Sequence, residues 1–278
     1  MAKPIEISNN ILAKYVHPQE RAITDRLYDN LVSEEYCNQL LENYKLFTLE
    51  NELPDYMGKC LEVNTYQMPK IYDIIRELSE KISMTAPTAY VYESYYFNTS
   101  AEGCEEPWIQ ISTKTLENFD EDELRFVIAR ELAHIKLGHM KWEVLTEEFA
   151  KNIDIAKEFI TIPAYPAASR QMFEIYADRF KLISANWKRV SEYTADRCAL
   201  ALCDFDIKTA ISAILKQILN SKLLQKSTNI SSFMRQTENI MSFTTNAAKF
   251  TRMDEDFPYG PFRLKELISF ASIYGAQS

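Results

Sequence analysis

Glycine is scarce in this chain, 5 of 278 residues, and proline contributes 10. Little is left for long flexible linkers, so helix is expected to dominate. No cysteines stand in a C-x-x-C pair. The five present (Cys37, Cys60, Cys104, Cys198, Cys203) are odd in number and irregularly spaced, which fits reduced thiols in a cytoplasmic protein better than a disulfide framework. No apolar run approaches the ~20 residues that span a bilayer. The longest weakly apolar stretch, 159–168, carries Pro163 and Pro166. The opening residues, Met1 to Glu6, lack the apolar core of a signal peptide, and no transmembrane segment is expected. No basic stripe with interleaved aromatics occurs. With 31 basic against 40 acidic residues and a net charge of -9, a nucleic-acid partner is not expected. Internal repeats and low-complexity tracts are also missing.

What is present is 46% apolar residues, enough for one sizeable core or two small ones. Residues 8–50 read as helices, with Leu27, Tyr28, Leu31, Tyr36, Leu40, Leu41 and Tyr44 near helical spacing. After Pro69, the residues Ile71, Ile74, Ile75, Leu78 and Ile82 form one apolar stripe. The pattern then changes. Residues 88–92 and 108–112 are rich in β-formers and read as strands, joined by a polar stretch over 98–107. Asp120, with Glu123 three residues on, predicts a capped helix that runs through Leu124, Val127, Ile128 and Ile135 to a stop at Gly138. A helical connection over 140–185, interrupted near Pro163 and Pro166, precedes a further helix carrying Ser191 to Asp196. Cys198 and Cys203 follow it as small buried hydrophobes. Residues 207–224 read as an amphipathic helix, 225–256 as polar and poorly patterned, and a short helix closes the chain from Pro261.

Chemistry concentrates in two places. On a helix that turns 100° per residue, Arg130, Glu131 and His134 lie within an arc of ~100° and can line one cleft. Glu192 and Asp196, at i and i+4, share a face of a later helix. Alone on an apolar helix, His134 would read as a core histidine; the second carboxylate pair turns the reading toward a site. His139, ~140° around the helix from His134, reads as surface or second-layer. His17 precedes a proline and reads as exposed. The acidic run at 120–123 is a helix start first.

Arg130-Glu131-Leu132-Ala133-His134 followed by Glu192-Tyr193-Thr194-Ala195-Asp196 resembles the H-E-x-x-H … E-x-x-A-D pair of the gluzincin metallopeptidases. The subgroup it is most similar to contains the CAAX prenyl protease and the heat-shock protease HtpX. The similarity extends from about Pro69 to the C-terminus. It implies a mainly helical α+β fold: a zincin-like core with a small sheet over 69–278, and an N-terminal helical extension over 1–68 packed on it. By position, His134 and Glu192 would be zinc ligands, Glu131 the general base and Asp196 the carboxylate that orients a ligand. The strand with Trp108, Ile109, Gln110 and Ile111, together with the loop near Asn98, would form the edge that pairs with an extended substrate. Tyr95 and Tyr96 could wall it.

Two positions depart from the pattern. Arg130 stands where the first zinc-binding His belongs, and a guanidinium offers donors without a lone pair. Phe257 stands where the family has the His that steadies the oxyanion, whereas Arg263 matches the Arg that supports the Asp. Zinc is therefore the family's expected cofactor, but absent or weakly held here. Without it, a permanent cation at 130 would answer the carboxylates of Glu131, Glu192 and Asp196, so the expectation is an Arg130–Glu192 ion pair with Arg263 near Asp196. The leading expectation is a pseudoenzyme whose former active-site cleft binds a peptide or protein segment. The alternative is a working zinc endopeptidase with an unusual ligand set, in which zinc keeps His134 and Glu192 plus Asp196 or water. A third is other chemistry with Glu131 as base.

Overall fold

A computed structural model describes residues 11–31, 33–160 and 167–275. The expected helix start at 8–10 and the interruption at Pro163 and Pro166 lie outside these described residues. The fold is α+β and mainly helical, with one small sheet. The N-terminal helices are α1 (Glu20–Asn30), α2 (Glu34–Phe47) and α3 (Leu53–Lys59). Ser33 starts α2 by accepting a hydrogen bond from the Tyr36 amide, which relieves one of the unpaired donors of the first turn. In α4 (Pro69–Lys81) the apolar stripe is buried as the spacing predicts, and proline occupies the first turn where its missing N–H costs nothing.

The sheet runs β1 (Leu61–Glu62), β2 (Thr88–Tyr92), β4 (Trp108–Ser112), β3 (Thr99–Glu102) across its width. β2 and β4 are parallel, with Thr88 opposite Trp108; β1 and β3 add antiparallel on the flanks. This corrects the expected substrate edge. Trp108, Ile109, Gln110 and Ile111 lie on an interior strand, buried on both faces and paired on both sides. The edge is β3, within the stretch that reads as a polar loop, and Asn98 directly precedes it. The Ser112 amide donates to the Asn98 carbonyl at 3.0 Å. Opposed residues in an antiparallel ladder alternate between bonded and non-bonded pairs, so the backbones of Ser100 and Glu102 also turn toward β4. Those of Thr99 and Ala101 face outward from the sheet.

After α5 (Thr113–Asn118), the central helix α6 (Glu121–Leu137) opens on a capping box: Asp120 accepts from the Glu123 amide, and Glu123 accepts from the Asp120 amide, each at 2.9 Å. It ends at Gly138, whose φ of 69° is the left-handed conformation that glycine adopts without a Cβ clash. α7 (His139–Ile160) follows at once. The two helical segments expected around 140–185 and 191–196 divide differently, because α8 is a single helix over Ala167–Leu202. α9 (Ile207–Leu219) stops where Asn220 turns left-handed. The stretch expected to be poorly patterned holds α10 (Lys222–Ser227), α11 (Ile230–Ser242) and α12 (Asn246–Met253), capped by Ser221, Asn229 and Thr245. α13 (Gly260–Tyr274) closes the fold.

Two apolar clusters form the core. One joins the sheet and α4 to α6, α9 and α13 around Phe126, Ile128 and Leu264. The other joins α1 and α7 to the middle of α8 through Leu27, Trp142, Phe180 and Trp187. α8 serves both. Among the described residues no helix is long and apolar enough to cross a membrane.

Candidate active-site cleft

The central helix α6 is buried nearly all round, so the polar side chains it carries through the core must find partners there. They find each other. Arg130 Nη1 donates to Glu131 Oε1 at 2.7 Å, and Arg130 Nη2 donates to Glu192 Oε2 from α8. Arg130 Nε lies 3.6 Å from Asp196 Oδ1. Asp196 is held from the other side by Arg263 of α13, with Nε to Oδ2 at 2.6 Å and Nη2 to Oδ1 at 2.7 Å. The helical spacing read from the sequence thus brings Arg130, Glu131, His134, Glu192, Asp196 and Arg263 into one cluster. Thr99, on edge strand β3, donates to Glu131 Oε1 at 2.8 Å and ties the sheet edge to the site.

Two guanidinium groups face three carboxyls, and burial sorts the carboxyls. Burial opposes ionisation of Glu192, but Arg130 and then His134 and Arg263 outweigh it and hold this carboxyl at about 2. For Glu131 burial dominates and pushes its proton affinity up despite Arg130 and Thr99. Burial also lowers the pKa of His134 well below its ordinary value, which leaves its imidazole neutral. Burial weakens the charged form of Arg130 too, yet Glu192, Glu131 and Asp196 together raise its pKa.

Of the two places the spacing allows His139, surface or second layer, it takes the second. It is 3% exposed, and its Nδ1 lies 2.9 Å from His134 Nδ1. The ~140° offset assumed one continuous helix; the left-handed turn at Gly138 breaks that rotation and brings the ring back behind His134. His17 is likewise largely covered: its amide donates to Thr194 Oγ1 at 3.0 Å and its ring packs on Tyr193. Phe257 is 66% exposed and stands at the mouth of a hollow of about 200 Å³ lined also by Tyr193, Tyr259 and Phe262. Asn98 bonds Tyr92 Oη through its side chain, and Tyr95 and Tyr96 are exposed beside β3. Sequence reading passed over Thr99, Glu20 and Thr194. Thr99 and Glu20 are short-range silent, since nothing local marks a partner 32 or 119 residues away.

A metal ion here would need lone pairs from positions 130 and 134 of α6 and from Glu192. Arg130 supplies none, and its guanidinium occupies one Glu192 oxygen. Among the described residues no group of three or more His, Cys, Asp or Glu side chains is arranged to hold a metal. The residues present do not fit zinc.

Comparison with known proteins gives a consistent affiliation. The profile of peptidase family M48 matches residues 66–251. The chain is 28% identical to the plastoglobule-localized metallopeptidase 48, chloroplastic, of Arabidopsis thaliana over 194 residues, 69% of this chain and 51% of that protein. It is 25% identical to a protease HtpX homolog of Methylibium petroleiphilum over 166 residues, 56% of this chain and 59% of the relative. A second HtpX homolog, from Thermodesulfovibrio yellowstonii, is 32% identical over 96 residues, 34% of each chain. The matched segment therefore spans from about a third to somewhat over half the length of these relatives. No solved structure matches.

Proposed function

The chain belongs to peptidase family M48, and from that premise we propose that it is a member that has given up hydrolysis and holds a peptide or protein segment in the cleft beside β3. The observation that carries this reading is Arg130. Its guanidinium bonds both Glu131, the family's general base, and Glu192, the family's third ligand. Metal coordination normally lowers the pKa of the attacking water from ~16 to ~7. With Arg130 in place the water keeps its ordinary acidity, and Glu131, itself engaged by Arg130 and Thr99, has no acidified proton to take. Phe257 offers no hydrogen bond to an oxyanion.

Binding needs none of this. An unpaired strand edge supplies main-chain donors and acceptors to an added strand, and among the described residues β3 is such an edge with Thr99 and Ala101 turned outward. The exposed Tyr95 and Tyr96 add apolar surface at its start. The test is to incubate the full chain with casein and a mixed peptide library, with and without added zinc, and to measure both cleavage and retention of library peptides. Retention without cleavage is expected. Chelator-sensitive cleavage that disappears in Glu131→Gln would overturn the inactive reading and favour a zinc peptidase with an unusual ligand set.

A further inference from the structure

Helix α12 is assembled the wrong way round. A surface helix normally turns its apolar stripe to the core and its charged side chains to water. α12 has no buried residue, and the side chains it rests on are Ala248 and Arg252, all its others being exposed. Arg252 is the anchor. Its Nη1 donates to the Ile240 carbonyl at 3.3 Å and to the Phe243 carbonyl at 3.0 Å, at the C-terminal end of α11. At 100° per residue, Lys249, Phe250 and Met253 fall within an arc of ~100° that is turned away from this anchor.

The outward face has neighbours of the same kind. Met241, Phe243, Phe250 and Met253 are each between 46% and 65% exposed. Met241 and Arg252 line the same hollow as Phe257, so apolar side chains gather around the junction of α11 and α12. Charge sets this stretch apart from the rest of the chain. Residues 222–253 carry Lys222, Lys226, Arg235, Lys249 and Arg252 against Glu238 alone, in a chain whose net charge is -9. Among the described residues no carboxylate pairs with Lys222, Lys226, Arg235 or Lys249. The acidic residues that follow are answered instead, Asp254 by Lys181 at 2.9 Å and Asp256 by Lys188 at 3.2 Å.

We propose that the outward face of α12 and its junction with α11 form a docking surface for an anionic lipid bilayer. Phe250 and Met253 enter the boundary between headgroups and acyl chains, while Lys249 and the basic side chains around it meet the lipid phosphates. Exposed aromatic and thioether side chains flanked by unpaired cations are what an interfacial helix presents, and its binding adds buried apolar area to attraction for anionic lipid. A second copy of this chain suits the face less well, because a two-fold contact would set these cations against their own copies. A peptide finds neither a groove nor a ladder edge on a helix turned outward. The docking does not depend on what the cleft beside β3 binds.

Co-sedimentation of the full chain with vesicles tests this. The chain should bind phosphatidylcholine vesicles that contain about 30% phosphatidylserine and leave pure phosphatidylcholine vesicles nearly bare, and salt at about 0.5 M should release it. Phe250→Ser combined with Met253→Ser, both at exposed positions, should weaken binding roughly tenfold. Lys249→Glu should weaken it about fivefold or more. Melting curves of both variants should match the wild type, which separates loss of docking from loss of fold. If the double variant does not fold, Lys249→Glu and the salt dependence of the wild type still decide. Absence of binding to the mixed vesicles, equal binding to the neutral ones, or full binding by either folded variant would overturn the proposal. So would a dimer in sedimentation velocity that the double variant abolishes while vesicles capture nothing, because that result gives the face to a second copy.

Discussion

Arg263 grips Asp196 as a fork, with two near-parallel hydrogen bonds of 2.6 and 2.7 Å, and both residues are buried. Geometry of this kind suits a planar guanidinium and not an ammonium, which is a point charge on a flexible stem. Arg263→Ala should lower unfolding free energy by ~3–5 kcal/mol, because Asp196 loses most of its counter-charge. Arg263→Lys should recover only part of that loss. Thermal and denaturant unfolding of the two variants checks this, and a lysine variant as stable as the wild type would contradict it.

Arg130 bonds two carboxylates, so Arg130→Ala should be at least as damaging, again ~3–5 kcal/mol. Arg130→His should act differently. It places two imidazoles one turn apart opposite Glu192, and elemental analysis should find zinc in the purified variant. Peptidase activity should stay weak until Phe257→His adds the missing oxyanion donor. Absence of zinc from a folded Arg130→His would count against this description of the site.

Acid should attack the same pair. An unfolded glutamyl group titrates near 4.5, whereas folded Glu192 is held at about 2, against its burial, chiefly by Arg130. The folded state therefore releases this proton first. The stabilisation, ~3 kcal/mol, is complete above pH 4.5 and disappears as pH falls through 2. In Glu192→Gln the acid limb of the stability curve should flatten, whatever the offset at neutral pH. An unchanged limb would show that Glu192 is not its source.

Two further glutamates act with the opposite sign. Burial raises Glu102 to about 7, aided by Glu52, Glu131 and Glu147 and partly relieved by Ser100. Glu143 also reaches about 7 through burial and Glu147. Their folded pKa values lie above 4.5, so their contribution is present in acid and is lost as pH rises through 7. The loss should be at most ~3 kcal/mol for each, reduced by their residual exposure. Stability should thus peak on the acid side of neutrality. Glu102→Gln with Glu143→Gln should remove the decline between about pH 4.5 and 7 in a urea titration.

For the binding edge, Ala101→Pro removes an outward amide without touching a ladder bond to β4. Peptide retention should fall while the melting temperature changes little. Proline at Gln110 should instead disrupt the sheet, because that residue pairs on both sides. Equal retention by Ala101→Pro and wild type would move the binding surface elsewhere.

Much of the site was legible because a helix converts sequence spacing into angle. Arg130, Glu131 and His134 share a face for that reason, as do Glu192 and Asp196, and buried opposite charges left with no other partner meet. Legibility ended where the conversion fails. Gly138 changes the sign of φ, so counting 100° per residue could not choose between the surface and the second layer for His139. The β3 sequence Thr-Ser-Ala-Glu has few strand-formers and is a strand only through its ladder to β4. Conversely, apolar density marked β4 as a strand but could not say that it has neighbours on both sides. The contact between Glu20 and His139 spans 119 residues and left no local trace.

Because α8 carries both Glu192 and Asp196, it is the spine to which two distant stretches of chain are sewn, α6 by Arg130 and α13 by Arg263. These stitches bracket more than a hundred residues of intervening sequence, and each is fastened at the cleft. A proteolytic cut between α12 and α13 would therefore do more than shed a terminal helix. It would strip Asp196 of its paired charge and pull Arg130 toward a second claimant, loosening its hold on Glu192. The far end of the chain thereby becomes a guardian of the cleft's shape, although it contributes nothing to the cleft's edge.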